Sequence, residues 1–278
     1  VLNALRSGYR NVTVQKIRNP KSSFNFAAIN NRAVQEVNTE LILFLNDDTE
    51  VIAGEWLTRM VGYSQMAGVG AVGARLIYPD NRIQHAGIVH GLYDGFAGPA
   101  FKLQPKESMG YLSYVGVSRN YAAVTAACML TPRKLFQEMD GFNETAFAVA
   151  YNDVDYCYRL NRKGYRVVYC PEAELTHHEG LSRGFSDDPS ELKRFRDTYS
   201  GFRDPFYNPN LSLEDEQFNI DVKCTLPTDP KAPPIRTLMC SFNLNLEGAP
   251  FSQFEMTCAL RDRGILDPLV YSPCDGPL

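Results

Sequence analysis

Apolar positions along the first two hundred residues switch repeatedly between two periods. Ala27, Ala28, Val34 and Val37 recur at helical spacing, and Leu41-Ile42-Leu43-Phe44-Leu45 follows as a short, wholly apolar run. A run of that length next to turn residues predicts a buried strand of a mainly parallel sheet. Trp56, Leu57, Met60 and Val61 return to helical spacing, and Val69 to Leu76 to strand character. Val124 to Leu130 predicts another strand, with Thr131 as the N-cap and Pro132 as the first residue of the helix that follows. A further helix is expected from Asp153 to Lys163, closed by Gly164, and then a strand from Tyr165 to Cys170. Such alternation predicts an open α/β sheet flanked by helices.

The pattern changes near residue 200. Residues 201–234 are rich in proline and polar residues and hold few apolar runs, which predicts a linker. Beyond it, Ile235 to Ser241 has strand character, a loop containing Gly248 follows, and Phe251 to Arg263 reads as a helix stopped by Gly264. Strand, glycine-bearing loop and helix make the opening of a second α/β unit of the nucleotide-binding kind, which the sequence does not complete. The expected organisation is an α/β domain over residues 1–200, a linker over 201–234 and an incomplete α/β unit over 235–278.

Composition narrows the classes. The 278 residues are 44% apolar and 12% aromatic, which excludes global disorder. Lys plus Arg total 28 against 32 Asp plus Glu, so the net charge of -4 gives no broad attraction to nucleic acid. No apolar run approaches the roughly 20 residues that a membrane helix needs. Seven cysteines, at 128, 157, 170, 224, 240, 258 and 274, form no CxxC pair, so neither a zinc ribbon nor a thioredoxin-like site is expected. Buried free thiols in a reducing compartment are the expectation. The chain opens on Val1 and shows no signal-peptide features.

Three clusters carry candidate chemistry. Asn46-Asp47-Asp48-Thr49-Glu50 directly follows the apolar strand, where open α/β sheets bind ligands, and its oxygens suit Mg²⁺ or Mn²⁺. The same residues also suit a polar turn that caps the next helix. Asn152-Asp153-Val154-Asp155 follows Gly141-Phe142-Asn143-Glu144; two acids two residues apart on a helix point in different directions, so one could serve catalysis while the other binds structure or a sugar hydroxyl. Helix capping by one Asp beside a solvated partner is the alternative for that pair. His177-His178 follow the last predicted strand, in a chain with four histidines, and imidazole serves as metal ligand or, when charged, as phosphate donor. A polar loop would also account for them.

Together these stretches resemble a known arrangement. From about Asn11 to Arg183 the chain is similar to an inverting family 2 glycosyltransferase of the GT-A fold, in particular to bacterial rhamnosyltransferase-like enzymes. The resemblance is carried by LILFLNDDTEV, GAVGARLIYPDNRIQHAGIV, AVTAACMLTPRKLFQEMDGFNE, AVAYNDVDYCYRLNRKGYRVVYCPEAEL and HHEGLSRG, in that order. It implies a Rossmann-like mixed sheet flanked by helices, with the family's first strand and nucleotide-binding loop absent ahead of VLNALRSGYRNVTVQKIRNP. IRTLMCSFNLNLEGAPFSQFEMTCALRDRG resembles the start of a family 4-type GT-B glycosyltransferase domain, which implies a piece of a multidomain protein.

The resemblance also implies roles. Asp153 falls on the catalytic base, Asp48 on the metal-ligating end of the DXD motif, and His177, rather than His178, on the histidine that helps hold a divalent Mg²⁺ or Mn²⁺. Asn30, Asn31, Asn46 and Asp47 fall on the donor side, and His85, Gly141, Phe142, Asn152 and Asp155 on the acceptor side. The implied reaction moves a sugar from a dTDP-, UDP- or GDP-sugar to a glycan or lipid-linked glycan, in the cytoplasm at the inner membrane face. Two other readings stay open: an inert carbohydrate- or nucleotide-binding fragment, and a sugar nucleotidyltransferase, which would want a basic Gly-rich loop near the start.

Overall fold

Asn25 breaks the backbone into an extended conformation and accepts the Ala28 N–H on its side chain at 2.7 Å, which starts helix α1 (Phe26–Gln35). Ala27, Ala28 and Val34 make its buried face, as their spacing predicts. The computed structural model describes residues 12–178, 189–221 and 233–277, and the chain divides into two units, Val1–Asp221 and Val222–Leu278. Cys224, Glu179 to Gly184 of the HHEGLSRG stretch, the first eleven residues and residues 222–232 of the expected linker lie outside the described residues.

In the first unit, strands β1 (Leu41–Leu45), β2 (Thr49–Val51), β3 (Val69–Ile77), β8 (Cys128–Pro132) and β9 (Arg166–His177) form a sheet in the order β1-β8-β3-β9-β2. Short strands β4 (Ile83–His85) and β7 (Arg119–Asn120) pair with β3 and β9. β5 (Ile88–Gly91) and β6 (Phe96–Pro99) make a separate antiparallel pair. The expected mixed sheet is present, but it is not mainly parallel: β3–β9 is its parallel pair, whereas β1–β8, β3–β8 and β2–β9 run antiparallel. β1 is also less buried than its apolar run predicts. Only Phe44 is fully buried, because among the described residues β1 pairs on one side alone.

β3 is the central strand, buried on both faces. Gly73 lets Val124 press against its backbone; a Cβ there would lie 2.3 Å from the Val124 Cβ. Helix α2 (Trp56–Ser64) buries Met60 against the sheet. Thr131 belongs to β8 and not to a helix cap. Fully buried, it donates its hydroxyl to the Gly70 carbonyl at 2.7 Å and meets the Tyr156 hydroxyl at 2.7 Å, so it ties the sheet to the next layer. Pro132 ends the strand and α3 (Arg133–Glu138) begins after it. Helix α4 (Asn152–Arg162) closes at Gly164, whose φ of +85° suits a residue without a side chain.

β9 runs seven residues past Cys170, where the sequence predicts its end. Pro171 lacks a donor for the ladder, and the register with β3 jumps from Ala74–Cys170 to Arg75–Glu174 before pairing resumes. That resumption carries His177 to the end of the sheet. Helix α5 (Pro189–Tyr199) follows.

Part of the expected linker packs. Leu211 and Phe218 are buried, Phe218 stacks on Phe101 with centroids 4.3 Å apart, and Phe202 stacks on Tyr158 at 4.0 Å. The aromatic content of residues 202–218 thus outweighs their prolines, and the first unit extends to Asp221. In the second unit, β10 (Ile235–Cys240), α6 (Gly248–Asp262) and β11 (Leu266–Tyr271) form a β-α-β arrangement with parallel strands. Among the described residues no helix is long and apolar enough to cross a membrane. Cys128, Cys157 and Cys170 are buried free thiols, and burial pushes Cys128 and Cys170 up to about 12, so they stay protonated at neutral pH.

The core under the site is aromatic: Phe44, Phe136, Phe142 and Tyr156 meet with centroids 4.8 to 5.8 Å apart. Phe142→Ala is therefore expected to cost about 3–5 kcal/mol, read as a lower urea midpoint at unchanged slope. A near-neutral result would mean that the ring does not hold this core.

Candidate active site

β1 runs straight into Asn46-Asp47-Asp48, and Thr49 opens β2 opposite His177. The turn is tight because the Thr49 hydroxyl donates to the Asn46 carbonyl at 2.8 Å and the His178 N–H to the Asp48 carbonyl at 2.9 Å. Asp48 Oδ1 thereby lies 3.1 Å from His177 Nε2. On the other side of the ring, Nδ1 donates to Gln84 Oε1 at 2.7 Å, so in the neutral imidazole Nε2 carries the lone pair. Asn46 Nδ2, a donor, is 3.2 Å from that nitrogen, as a lone pair requires.

A lone pair and a carboxylate oxygen thus converge, and Asp48 Oδ1 is buried without accepting a hydrogen bond. One oxygen and one imidazole nitrogen fit a small divalent cation such as Mg²⁺ or Mn²⁺. Among the described residues no group of three His, Cys, Asp or Glu side chains is close enough to hold a metal unaided. Asp48 and His177 would therefore hold such a cation only together with ligands from outside these side chains. His178 faces the exposed Glu50 at 3.3 Å instead, and Asp47 is exposed to solvent.

Asp153 lies in the first turn of α4. Its Oδ2 accepts the Ala126 N–H and its Oδ1 the Val154 N–H, each at 2.8 Å, and the Thr125 hydroxyl also bonds to it. Burial holds its carboxyl above the usual carboxylate range against the pull of those donors. The two halves join through the backbone: Asn46 N–H donates to the Ala127 carbonyl at 3.0 Å, one residue from the amide that binds Asp153.

Several residues expected at the site are bonded into the scaffold. Asp155 is buried, accepts both Arg159 Nε and Nη2 at 2.8 Å and takes the Tyr199 hydroxyl at 2.5 Å, so its carboxylate is engaged by the scaffold. Asn152 is buried and donates to the Val149 carbonyl at 3.0 Å. Asn31 clasps the Phe142 backbone, donating to its carbonyl at 2.8 Å and accepting its N–H at 2.9 Å, and Asn30 donates back to Phe26 in its own helix. Phe142 is in the aromatic core. Gly141 (φ +65°) leaves room for the Asn31 clasp, since a Cβ would come within 2.5 Å of Asn31 Oδ1. His85 is buried beneath the site, donating to the Ala74 carbonyl at 2.9 Å. Burial lowers its pKa to about 4 and keeps it neutral.

Three residues in the site have no counterpart in the sequence reading. Gln84 orients His177, and Thr125 bonds Asp153. Glu191 on α5, buried, accepts three successive backbone donors from the strap before α4: Ala148 at 2.8 Å, Val149 at 3.2 Å and Ala150 at 2.7 Å. Tyr151, in a left-handed conformation with φ +60°, ends that strap and stacks on Phe195 at 4.2 Å. A Glu on the buried face of a helix is the sequence signal that points to Glu191, although the face itself is visible only once Phe195 and Tyr199 are known to be core.

The raised pKa has a signed consequence. Folded Asp153 keeps its proton to a higher pH than the unfolded value of 3.8, so its ionisation costs stability as pH rises from 3.8 through the folded value. The melting temperature of Asp153→Asn relative to the parent chain is expected to climb as pH rises above 3.8. Parallel melting curves across that range would refute the shift.

Comparison with known proteins gives a family. Residues 1–197 match the model described as "Glycosyltransferase like family 2". The chain is 46% identical over 204 residues to the uncharacterized protein y4gI of Sinorhizobium fredii (strain NBRC 101917 / NGR234), covering 70% of this chain and 22% of that protein. It is 39% identical over 198 residues to the O-antigen biosynthesis protein RfbC of Myxococcus xanthus, covering 68% of this chain and 15% of that protein. A third relative, at 26% identity over 149 residues, is the N-acetylglucosaminyl-diphospho-decaprenol L-rhamnosyltransferase of Mycobacterium tuberculosis, with 51% of this chain and 48% of that protein covered. The chain spans less than a quarter of the length of the first two relatives and about half of the third.

Proposed function

This chain belongs to the glycosyltransferase like family 2, and we propose that its first unit transfers a sugar, with inversion, from a nucleotide-sugar to a hydroxyl of a glycan or lipid-linked glycan. The observation that carries the reading is the convergence of Asp48 and His177 at one end of the sheet, joined through the 125–127 segment to a desolvated Asp153. The names of the Myxococcus and Mycobacterium relatives favour a place in bacterial surface polysaccharide synthesis, with a lipid-linked acceptor. Nucleotide-sugars of the dTDP, UDP or GDP kind are the donor class, and the cytoplasmic face of the membrane is where such donors and acceptors meet. The second unit is read as the opening of a GT-B-type domain in a longer protein.

A sugar hydroxyl is a weak nucleophile near neutral pH, so a positioned base must take its proton as the new bond forms. Asp153 is that base. Its desolvated carboxylate binds a proton more readily than a solvated one, and the amides of Ala126 and Val154 fix its orientation. Attack opposite the leaving group inverts the anomeric centre. Asp48 and His177 would hold a divalent cation, which when bound supplies positive charge against the departing diphosphate. Asn46 and Asp47, at the same turn, are assigned to the donor side by their place beside Asp48.

Asp153→Asn is expected to lower the transfer rate by about 10²–10⁴-fold while leaving nucleoside diphosphate binding in the presence of Mn²⁺ close to that of the parent chain. Near-normal turnover would remove Asp153 from the role of base. Chelation with EDTA is expected to abolish both binding and transfer, with recovery on adding Mn²⁺ or Mg²⁺. Activity that survives chelation would exclude the metal.

A further inference from the structure

β4 places two adjacent side chains under the two halves of the site. Gln84 and His85 are 6% and 2% exposed, so neither reaches a substrate. Neighbours on a strand point to opposite faces, which lets one serve the His177 side and the next the Asp153 side.

On the first side, Gln84 Oε1 accepts the His177 Nδ1–H at 2.7 Å. An acceptor at Nδ1 fixes the tautomer and leaves Nε2 as the nitrogen that faces Asp48. On the second side, His85 gives its Nδ1–H to the Ala74 carbonyl at 2.9 Å, which leaves Nε2 to accept the Thr125 N–H at 3.3 Å. Thr125 is the hinge of the donor set around Asp153. Its hydroxyl bonds to the Asp153 carboxylate and accepts the Ala127 N–H at 3.2 Å, and the Ala126 N–H between them binds Asp153 Oδ2.

We propose that Gln84 and His85 form one positioning pair, in which Gln84 sets the ring nitrogen that His177 offers beside Asp48 and His85 sets the 125–127 donors that hold Asp153. The inference rests on the transferase reading above and adds to it the element that aligns its two halves. Because both side chains leave the same short strand, a displacement of β4 would move ligand and base together.

The test separates the two arms and needs no sugar substrate. In the full chain, long-range ¹H–¹⁵N spectra of the His177 ring report its tautomer, and Mn²⁺ alone is titrated by electron paramagnetic resonance. Gln84→Leu is expected to lose the single-tautomer pattern and to weaken Mn²⁺ about 10–100-fold, and Gln84→Glu, which keeps the acceptor, to restore both. His85→Asn retains a donor for Ala74 but has nothing to reach Thr125. It is expected to move the ¹³C titration of the Asp153 carboxyl upward by about half a unit or more, with Mn²⁺ affinity unchanged, since donors to a carboxylate favour its charged form. His85→Gln, whose carbonyl extends to Thr125, is expected to reverse that shift. An unchanged His177 ring in Gln84→Leu, an unmoved Asp153 titration in His85→Asn, or equal loss of Mn²⁺ in both would overturn the pair. Failure of the parent chain to bind Mn²⁺ would instead count against the metal in the transferase reading, and the ring and carboxyl spectra would still decide the positioning.

Discussion

Asp153 is held where desolvation and hydrogen bonding oppose each other, and the working end of the first unit is arranged around that balance. Burial favours the protonated acid, while the Ala126 and Val154 amides and the Thr125 hydroxyl favour the carboxylate. Removing the donors would raise its affinity for a proton further, and exposing the group would return it toward an ordinary carboxylate. The 125–127 segment supplies donors to Asp153 and accepts the Asn46 N–H, so the Asp153 carboxylate is set together with the end of β1. Glu191 does the same for the strap on the other side of Asp153, where its charge-assisted bonds are worth more than neutral ones.

Residues of the same type meet opposite fates here because of their neighbours. Asp153 and Asp155 are two residues apart on α4, yet Asp155 is paired with Arg159 and capped by the Tyr199 hydroxyl while Asp153 is held by the Ala126 and Val154 amides and the Thr125 hydroxyl. His85 is buried and neutral with both ring nitrogens engaged by backbone, whereas His177 turns one nitrogen toward a carboxylate. Arg159 also donates to the carbonyls of Met139 and Gly141, so the acid that reads as functional in sequence anchors the loop that carries Phe142. Function and support are thus interleaved residue by residue along NDVD.

The alternation of periods made α1, β1, α2, β3, α4 and the first half of β9 legible, since each is long enough or apolar enough to show its face. Short strands such as β2, β4 and β7 were not, because three residues or fewer carry no period. Strand direction was misread for β1 because an apolar run does not show which way its neighbour runs. At the site, the acids and histidines were legible as types and in order. What sequence could not show is which of them face outward: Asp155, Asn31 and Phe142 look like their neighbours until Arg159, the Phe142 backbone and the aromatic core are placed around them. Gln84 and Glu191 stand alone in polar surroundings and acquire meaning only through partners 93 and 41 to 43 residues away.

The stacking of Phe202 on Tyr158 and of Phe218 on Phe101 sets where this unit can be cut. The family match stops at residue 197, inside α5 and two residues before the Tyr199 hydroxyl that holds Asp155. A fragment excised at that border would expose the faces of Tyr158 and Phe101 and leave the Asp155–Arg159 pair short of one donor. The unit that keeps this interior runs to Asp221, beyond the stretch by which the family is recognised.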